Sequence, residues 1–245
     1  MTKQSGGRKV ALITGGNKGI GLEIARQLGR QGMTVLIGAR DEGRGQEAVE
    51  KLRAEGVVAG SIRLDVTNQE TINRAARRIE EEFGRLDVLV NNAGIFLDDA
   101  PPSRLHMEVL RRTYEVNFFG PVAITQAMLP LVRRSPAGRV VNMSSGLGSL
   151  TQTSDPEWEF SGLNLLAYNS SKAALNAATV QFAKELGDTP IKVNSADPGY
   201  TATDMNQHQG TRSVEQGARV AVRLATLPAD GPSGRFFDEN GALPW

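Results

Sequence analysis

The chain has 245 residues, 40% of them hydrophobic and 22% charged, and its 28 basic residues nearly balance 27 acidic ones. A net charge of +1 gives no basic field that would predict nucleic-acid or membrane binding. The absence of cysteine excludes disulfides, thiolate zinc sites and cysteine nucleophiles, and two histidines argue against a His-based metal site or a Ser-His-Asp triad. The N-terminus lacks a hydrophobic signal core and no apolar run approaches the ~18 residues of a membrane span, so we expect a cytoplasmic protein.

Short apolar runs and helical patterns alternate along the chain. The first strand is predicted at residues 10–13, and a long helix is predicted over residues 105–134, bent where Gly120 precedes Pro121. Because no linker interrupts the alternation, the pattern predicts one domain over residues 1–245, a doubly wound parallel sheet with helices on both faces. Residues 67–70 have the spacing of a capping box that opens a helix. Further strands are predicted at residues 33–40, 57–66, 86–90, 139–145, 191–196 and 234–238.

The turn after the first strand combines glycines with the start of a helix. Residues 14–21 read Thr-Gly-Gly-Asn-Lys-Gly-Ile-Gly, and an amphipathic helix follows at once. Gly15, Gly19 and Gly21 allow a tight turn and a close approach of the backbone to a ligand. The helix N-terminus behind them offers N–H groups to a phosphate, so this placement predicts a dinucleotide-binding turn.

Two basic residues indicate which dinucleotide binds. The end of the second strand meets the adenosine ribose in such folds, where an acid selects a free 2′-hydroxyl and an arginine the 2′-phosphate. Here that end is Arg40, with no acid before Asp41, and Lys18 in the glycine-rich turn adds a second positive charge. The pair favours NADP(H).

Two segments beside the predicted site have no regular pattern. Residues 146–166 carry Trp158 and Phe160 among acidic residues, whereas residues 200–212 are polar and rich in Gly and Gln, which is typical of a mobile lid. Large rings on a loop often contact a ligand, so we interpret the segment 146–166 as one wall of a substrate pocket. Anchoring of the loop, or covering of a helix that would otherwise mediate dimerisation, are alternatives.

Tyr168 and Lys172 lie four positions apart in a predicted helix. Side chains at that spacing stack on one face, within reach of each other. A phenol with a pKa near ~10 is a poor acid–base catalyst at neutral pH. A fixed ammonium beside it is expected to favour the phenolate and to lower that pKa.

Seven motifs occur in a fixed order: Thr14-Gly-x-x-x-Gly-x-Gly21, Asp65, Asn91-Asn-Ala-Gly94, Asn117, Ser145, Tyr168-x-x-x-Lys172, and Pro198-Gly199 with Thr203. In this combination the chain resembles the short-chain dehydrogenase/reductase family over nearly its whole length, and the carbonyl-reductase branch in particular. The resemblance implies a Rossmann-type fold and the NADPH-dependent reduction of a small-molecule ketone, aldehyde or quinone to the alcohol.

The resemblance also implies a role for each catalytic residue. Tyr168 corresponds to the proton donor in reduction, and Lys172 to the residue that lowers its pKa and binds the nicotinamide ribose. Ser145 corresponds to the residue that hydrogen-bonds the substrate oxygen, and Asn117 to the one that holds a proton-relaying water. The implied cofactor-binding residues are Gly15, Asn17, Lys18, Gly19, Ile20, Gly21, Arg40, Asp65, Val66, Asn91, Ala93, Gly94, Tyr168, Lys172, Pro198, Gly199, Thr201 and Thr203.

The choice between Ser144 and Ser145 rests on the strand and on the family. Successive side chains of an extended segment point to opposite faces, so one of the two faces the site, and the family places its serine second in such a pair. Twenty-three positions separate Ser145 from Tyr168, where most family members have about a dozen, so residues 146–166 contain an insertion. The carbonyl-reductase branch carries a longer one, and its members are often monomeric. We expect a monomer or a dimer.

Two other functions use the same motifs. A dedicated 3-oxoacyl-thioester or steroid ketone reductase would share the catalytic residues and differ in its pocket lining. A non-catalytic NADP(H) sensor would typically have lost Tyr168 or Lys172, both of which are present here. A family enoyl reductase would need a longer spacing between the tyrosine and the lysine.

Overall fold

A computed structural model describes residues 7–245, which form one eight-stranded sheet. The strand order is β3-β2-β1-β4-β5-β6-β7-β8, and every neighbouring pair is parallel except the antiparallel pair β7 and β8. The doubly wound sheet expected from the sequence is thereby confirmed. The strands are β1 Val10–Thr14, β2 Thr34–Ala39, β3 Ala59–Arg63, β4 Val88–Asn91, β5 Arg139–Met143, β6 Lys192–Ala196, β7 Phe236–Phe237 and β8 Ala242–Leu243.

Helices cover both faces of the sheet and produce two apolar cores. The alternation of a strand separates them: Ala11 and Ile13 pack in one core, whereas Val10 and Leu12 pack in the other. The first core receives α1, α2 and α8, and the second receives α3, α5 and α7. The helices are α1 Gly19–Arg30, α2 Glu42–Ala54, α3 Gln69–Phe83, α4 Met107–Tyr114, α5 Gly120–Val132, α6 Leu150–Thr153, α7 Leu166–Glu185 and α8 Val214–Ala225.

The long helix predicted over residues 105–134 is interrupted earlier than expected. A π-helical segment, Glu115–Phe119, joins α4 to α5 without a break, and Pro121 is the second residue of α5. Asn117 lies inside the π-helical segment. Such wide turns often mark functional sites because they displace one residue from the regular helix.

Three local predictions differ from the structure. Asn68 caps α3, not Thr67, because its side chain accepts hydrogen bonds from the Glu70 and Thr71 amides. The insertion is partly helical, with a 3₁₀ turn at Gly146–Gly148 and then α6. The apolar tail at residues 243–245 begins in an eighth strand, and the Trp245 ring stacks on the Phe236 ring with centroids 5.7 Å apart.

Candidate active site

The predicted site residues meet at the carboxyl ends of the central strands. From β1 the chain adds β2 and β3 on one side of the sheet, and it then returns to add β4 on the other side of β1. The strand order therefore reverses between β1 and β4. Crevices at such switch points bind ligands in open α/β sheets. The loops after β1, β4, β5 and β6 carry the glycine-rich turn, the Asn-Asn-Ala-Gly sequence, Ser145 and Pro198–Gly199 respectively.

The glycine-rich turn has the backbone that its sequence predicts. Gly15 and Gly19 have φ angles of 61° and 55°, in the left-handed region that favours glycine. A Cβ at Gly21 would stand 2.4 Å from the Asn92 amide nitrogen, so a larger residue would push that side chain aside. Asn92 in turn donates to the Thr14 carbonyl oxygen at 2.9 Å. Asn92 therefore holds the turn, a role that the sequence patterns did not identify.

The start of α1 fits an anionic group. Lys18 is the N-cap residue, its side chain caps no helical N–H, and no acid stands in the first turn. The leading N–H groups and the helix dipole thus favour a phosphate at this end. Arg40 is exposed at the end of β2, as the hypothesis of a 2′-phosphate requires. These residues fit a dinucleotide that carries an extra phosphate.

Tyr168 and Lys172 share one face of α7, as predicted. The Lys172 Nζ atom lies 5.5 Å from the centre of the Tyr168 ring and donates to the Met143 carbonyl oxygen at 2.8 Å. The Ser145 hydroxyl lies within hydrogen-bonding reach of the Tyr168 hydroxyl. The Phe96 ring packs its edge against the Tyr168 ring, with centroids 5.5 Å apart.

The expected lowering of the Tyr168 pKa is wrong for this structure. Burial raises the pKa of Tyr168 to about 12, the negative charge of Asp197 acts in the same direction, and the hydrogen bond with Ser145 opposes both. Burial lowers the pKa of Lys172 to about 8, against the attraction of Asp197. The phenol is therefore protonated at neutral pH and the lysine largely charged. The spacing of two residues could not reveal the burial that decides both shifts.

Ser144 and Ser145 differ in the way the alternation predicts. Ser144 is 4% exposed and its hydroxyl has no hydrogen-bond partner among the described residues. Ser145 is half-buried, and its hydroxyl accepts the Leu147 N–H at 3.2 Å besides facing Tyr168. The geometry thus brings Ser145, and not Ser144, to the phenol.

Asn117 is fully buried, and its side chain forms hydrogen bonds with the loop after β4. Its Oδ1 atom accepts the Ile95 N–H at 2.8 Å, while its amide donates to the Ile95 carbonyl oxygen and to the Ser171 hydroxyl. A Cβ at Gly94 would stand 3.5 Å from Asn117 Oδ1 and 3.6 Å from Lys172 Nζ. The bare glycine thus leaves a space the size of one small group between Asn117 and Lys172.

The side chains of some predicted cofactor residues form hydrogen bonds within the protein. The Asn91 amide donates to Thr125 and Asn142, and the Thr201 hydroxyl donates to the Pro198 carbonyl oxygen at 3.0 Å. Thr203 differs, because a Cβ at Gly19 would lie 3.9 Å from its methyl group. The remaining members of the set, Asn17, Ile20, Asp65, Val66, Ala93 and Gly199, lie along the same carboxyl edge in loops or at the start of α1.

Two acidic residues near the site were not singled out from the sequence. Asp98 accepts the Ala167 and Tyr168 N–H groups at 2.8 and 2.9 Å and so caps α7 immediately at the tyrosine. Asp197 accepts the Gly199 N–H at 2.9 Å, and burial raises the pKa of its carboxyl. Local patterns give no signal for Asp98, because its cap joins segments about 70 positions apart. The Asp197 contact is a local turn, and only the fold shows that this carboxyl is buried.

The insertion contacts the segment 200–212 through aromatic rings. The Trp158 and Phe160 rings meet edge to face with centroids 5.3 Å apart, and the Phe160 ring lies 6.1 Å from the Tyr200 ring. A Cβ at Gly146 would lie 3.3 Å from a Trp158 ring carbon, so the indole reaches the residue after Ser145. Trp158 thus lies beside the catalytic strand end.

Comparisons with known proteins agree with this geometry. The family model described as short chain dehydrogenase matches residues 9–213. (+)-Neomenthol dehydrogenase of Arabidopsis thaliana is 35% identical over an alignment of 288 positions, gaps included, which covers 95% of this chain and 96% of that protein. Carbonyl reductase (NADPH) 1 of Mus musculus is 36% identical over an alignment of 281 positions, which covers 98% of this chain and 100% of that protein. The crystal structure of an NADPH-bound carbonyl reductase from chicken fatty liver superposes with a TM-score of 0.85 at 26% identity, covering 97% and 99%.

Proposed function

Because this chain belongs to the short-chain dehydrogenase family and is similar to carbonyl reductases, we propose that it reduces a small-molecule ketone, aldehyde or quinone with NADPH and that Tyr168 is the general acid. The enzyme is an oxidoreductase acting on CH–OH and C=O groups, with NADP(H) as its cofactor. The observation that carries the role of Tyr168 is the arrangement of its hydroxyl beside Ser145, on the same helical face as the ammonium of Lys172.

The residues have distinct parts in the reaction. NADPH, when bound, supplies the hydride that reaches the carbonyl carbon. The Tyr168 hydroxyl gives its proton to the carbonyl oxygen, which completes the alcohol and leaves a phenolate. Ser145 donates a hydrogen bond to the same oxygen and stabilises the negative charge that develops there. The positive charge of Lys172 stabilises the phenolate, which burial alone would disfavour.

The protonation states suit reduction. A phenol with a pKa of about 12 holds its proton throughout the neutral range, ready to be donated. Asn117 and Lys172 border the space above Gly94, which we assign to a water that returns a proton to the site. The cofactor is held by the glycine-rich turn and the start of α1, with Lys18 and Arg40 as the cations for the 2′-phosphate.

Residues 146–166 and 200–212 form the walls of the substrate pocket in this proposal. Their contact through Phe160 and Tyr200 supports this role, as does the position of Trp158 beside Gly146. Phe96, Leu166 and Tyr200 are exposed apolar side chains on the loop after β4, at the start of α7 and on the loop after β6. Such a rim suits a substrate with a substantial apolar body.

The test is a panel of ketones, aldehydes and quinones, assayed with NADPH and with NADH. We expect turnover with NADPH, and in the variant Tyr168→Phe a loss of about 10²-fold or more in kcat, since general acid catalysis contributes that much. The variant keeps its packing and should still bind NADPH, measured by fluorescence. Near-parental turnover of a good substrate by Tyr168→Phe would exclude the proposed general acid.

A further inference from the structure

Lys18, one of the two cations assigned to the 2′-phosphate, already has an acidic partner. Its Nζ atom lies 2.6 Å from Asp204 Oδ2, across 186 positions of the chain. Asp204 begins a 3₁₀ turn, Asp204–Asn206, in the segment 200–212 that the sequence indicates as a lid. The contact therefore joins the phosphate-binding turn directly to the lid.

The lid lies against the glycine-rich turn at a second point. The Thr203 methyl group is 3.9 Å from the position of a Cβ on Gly19, so the two segments pack together next to the ion pair. Asp204 also faces His208, whose Nε2 lies 3.0 Å from its Oδ1 atom. The hydrogen bond from Lys18 and its positive charge lower the pKa of Asp204, which is ionised at neutral pH.

The lid conformation that makes this contact is strained. Gln207 and His208 have φ angles of 53° and 61°, in the left-handed region that residues other than glycine rarely adopt. The pair between Lys18 and Asp204 is itself weak and exchangeable, because their side chains are 62% and 56% exposed. A ligand with a higher negative charge can thus displace Asp204 from Lys18 at low cost.

A 2′-phosphate is such a ligand. A phosphate monoester carries about −1.5 to −2 charges near neutral pH, against −1 on Asp204, so Lys18 prefers the phosphate. We propose that Asp204 is a cofactor-specificity residue, which competes with the 2′-phosphate for Lys18. NADH lacks this phosphate and leaves the pair intact. The proposal rests on NADP(H) binding as assigned above.

The test compares dissociation constants, which need no turnover. The variant Asp204→Asn should lower the Kd of NADPH by about threefold or more and leave the Kd of NADH within twofold. The expected change is modest because an exposed ion pair contributes little free energy. In the background Lys18→Met the same substitution should no longer change the ratio of the two constants. Asp230→Asn removes an exposed acid from the loop between α8 and β7 and should change neither constant.

An unchanged ratio of the two dissociation constants in Asp204→Asn would overturn the proposal. Failure to bind either cofactor would instead refute the proposed function.

Discussion

The ammonium of Lys172 lies 5.5 Å from the centre of the Tyr168 ring and donates its hydrogen bond to the Met143 carbonyl oxygen, not to the phenol. In the proposed reaction the lysine therefore acts on the tyrosine through its charge and not through a hydrogen bond. That charge is present only while the amine is protonated, and burial has brought the pKa of Lys172 down to about 8. The electrostatic support of the Tyr168 phenolate is thus sensitive to pH slightly above neutrality.

The pH dependence of reduction should follow Lys172. Below about pH 8 the lysine is charged, and above it the charge is lost, whereas Tyr168, with a pKa of about 12, keeps its proton across this range. We expect kcat/KM for NADPH to be level at neutral pH and to fall as the pH rises through about 8, since this ratio reports groups of the cofactor-free protein. Lys172→Arg, which stays charged, should move any remaining fall to higher pH. A level profile up to pH 10 would disagree with this assignment.

Cofactor preference should depend on Arg40. A guanidinium pairs with a phosphate through two hydrogen bonds, and one charge-assisted hydrogen bond is worth ~1.5–3 kcal/mol. NADPH should therefore be preferred over NADH by at least ~10-fold in kcat/KM. Arg40→Asp should abolish or reverse this preference, and Arg77→Asp, which changes an exposed arginine in α3, serves as the control. Equal kcat/KM values for both cofactors in the parent protein would contradict the prediction.

Gly94→Ala should fill the space between Asn117 and Lys172. Its added methyl group would make ordinary contacts at 3.5 and 3.6 Å, so the protein should fold. If that space holds the relay water, kcat should fall by about tenfold or more, within the range of general acid–base effects. Gly241→Ala, where nothing lies within 4 Å of the new Cβ, is the matched control. A loss confined to NADPH affinity, with kcat unchanged, would count against the water.

Trp158→Ala should change the ranking of substrates. The indole reaches Gly146, next to Ser145, so its removal should raise KM for bulky ketones more than for small aldehydes and leave NADPH affinity nearly unchanged. Trp158→Phe keeps an aromatic ring and should lie between the parent and the alanine variant. A uniform loss of thermal stability without a new ranking would indicate that Trp158 only anchors the loop. A change from monomer to dimer would indicate that it covers an interface.

Local sequence determined those parts of the protein in which the interacting residues are close along the chain. The glycine-rich turn after β1 needs backbone angles that glycine supplies, so it could be predicted from residues 14–21 alone. The shared face of Tyr168 and Lys172 follows from the period of one helix. The order of strands and helices follows from the periodicity of apolar residues. The contrast between Ser144 and Ser145 follows from the alternation of side chains along a strand.

Only the tertiary structure decided the properties that depend on residues far apart in the sequence. The pKa of Tyr168 rises because of burial and of Asp197, neither of which its spacing to Lys172 reveals. The capping of α7 by Asp98 and the pairing of Lys18 with Asp204 join residues 70 and 186 positions apart. The Asn91 side-chain amide donates hydrogen bonds to Thr125 and Asn142, although its motif predicted a contact with the cofactor. Periodicity and propensity report each residue's relation to its chain neighbours, whereas desolvation, charge and hydrogen-bond partners depend on what the fold brings against it.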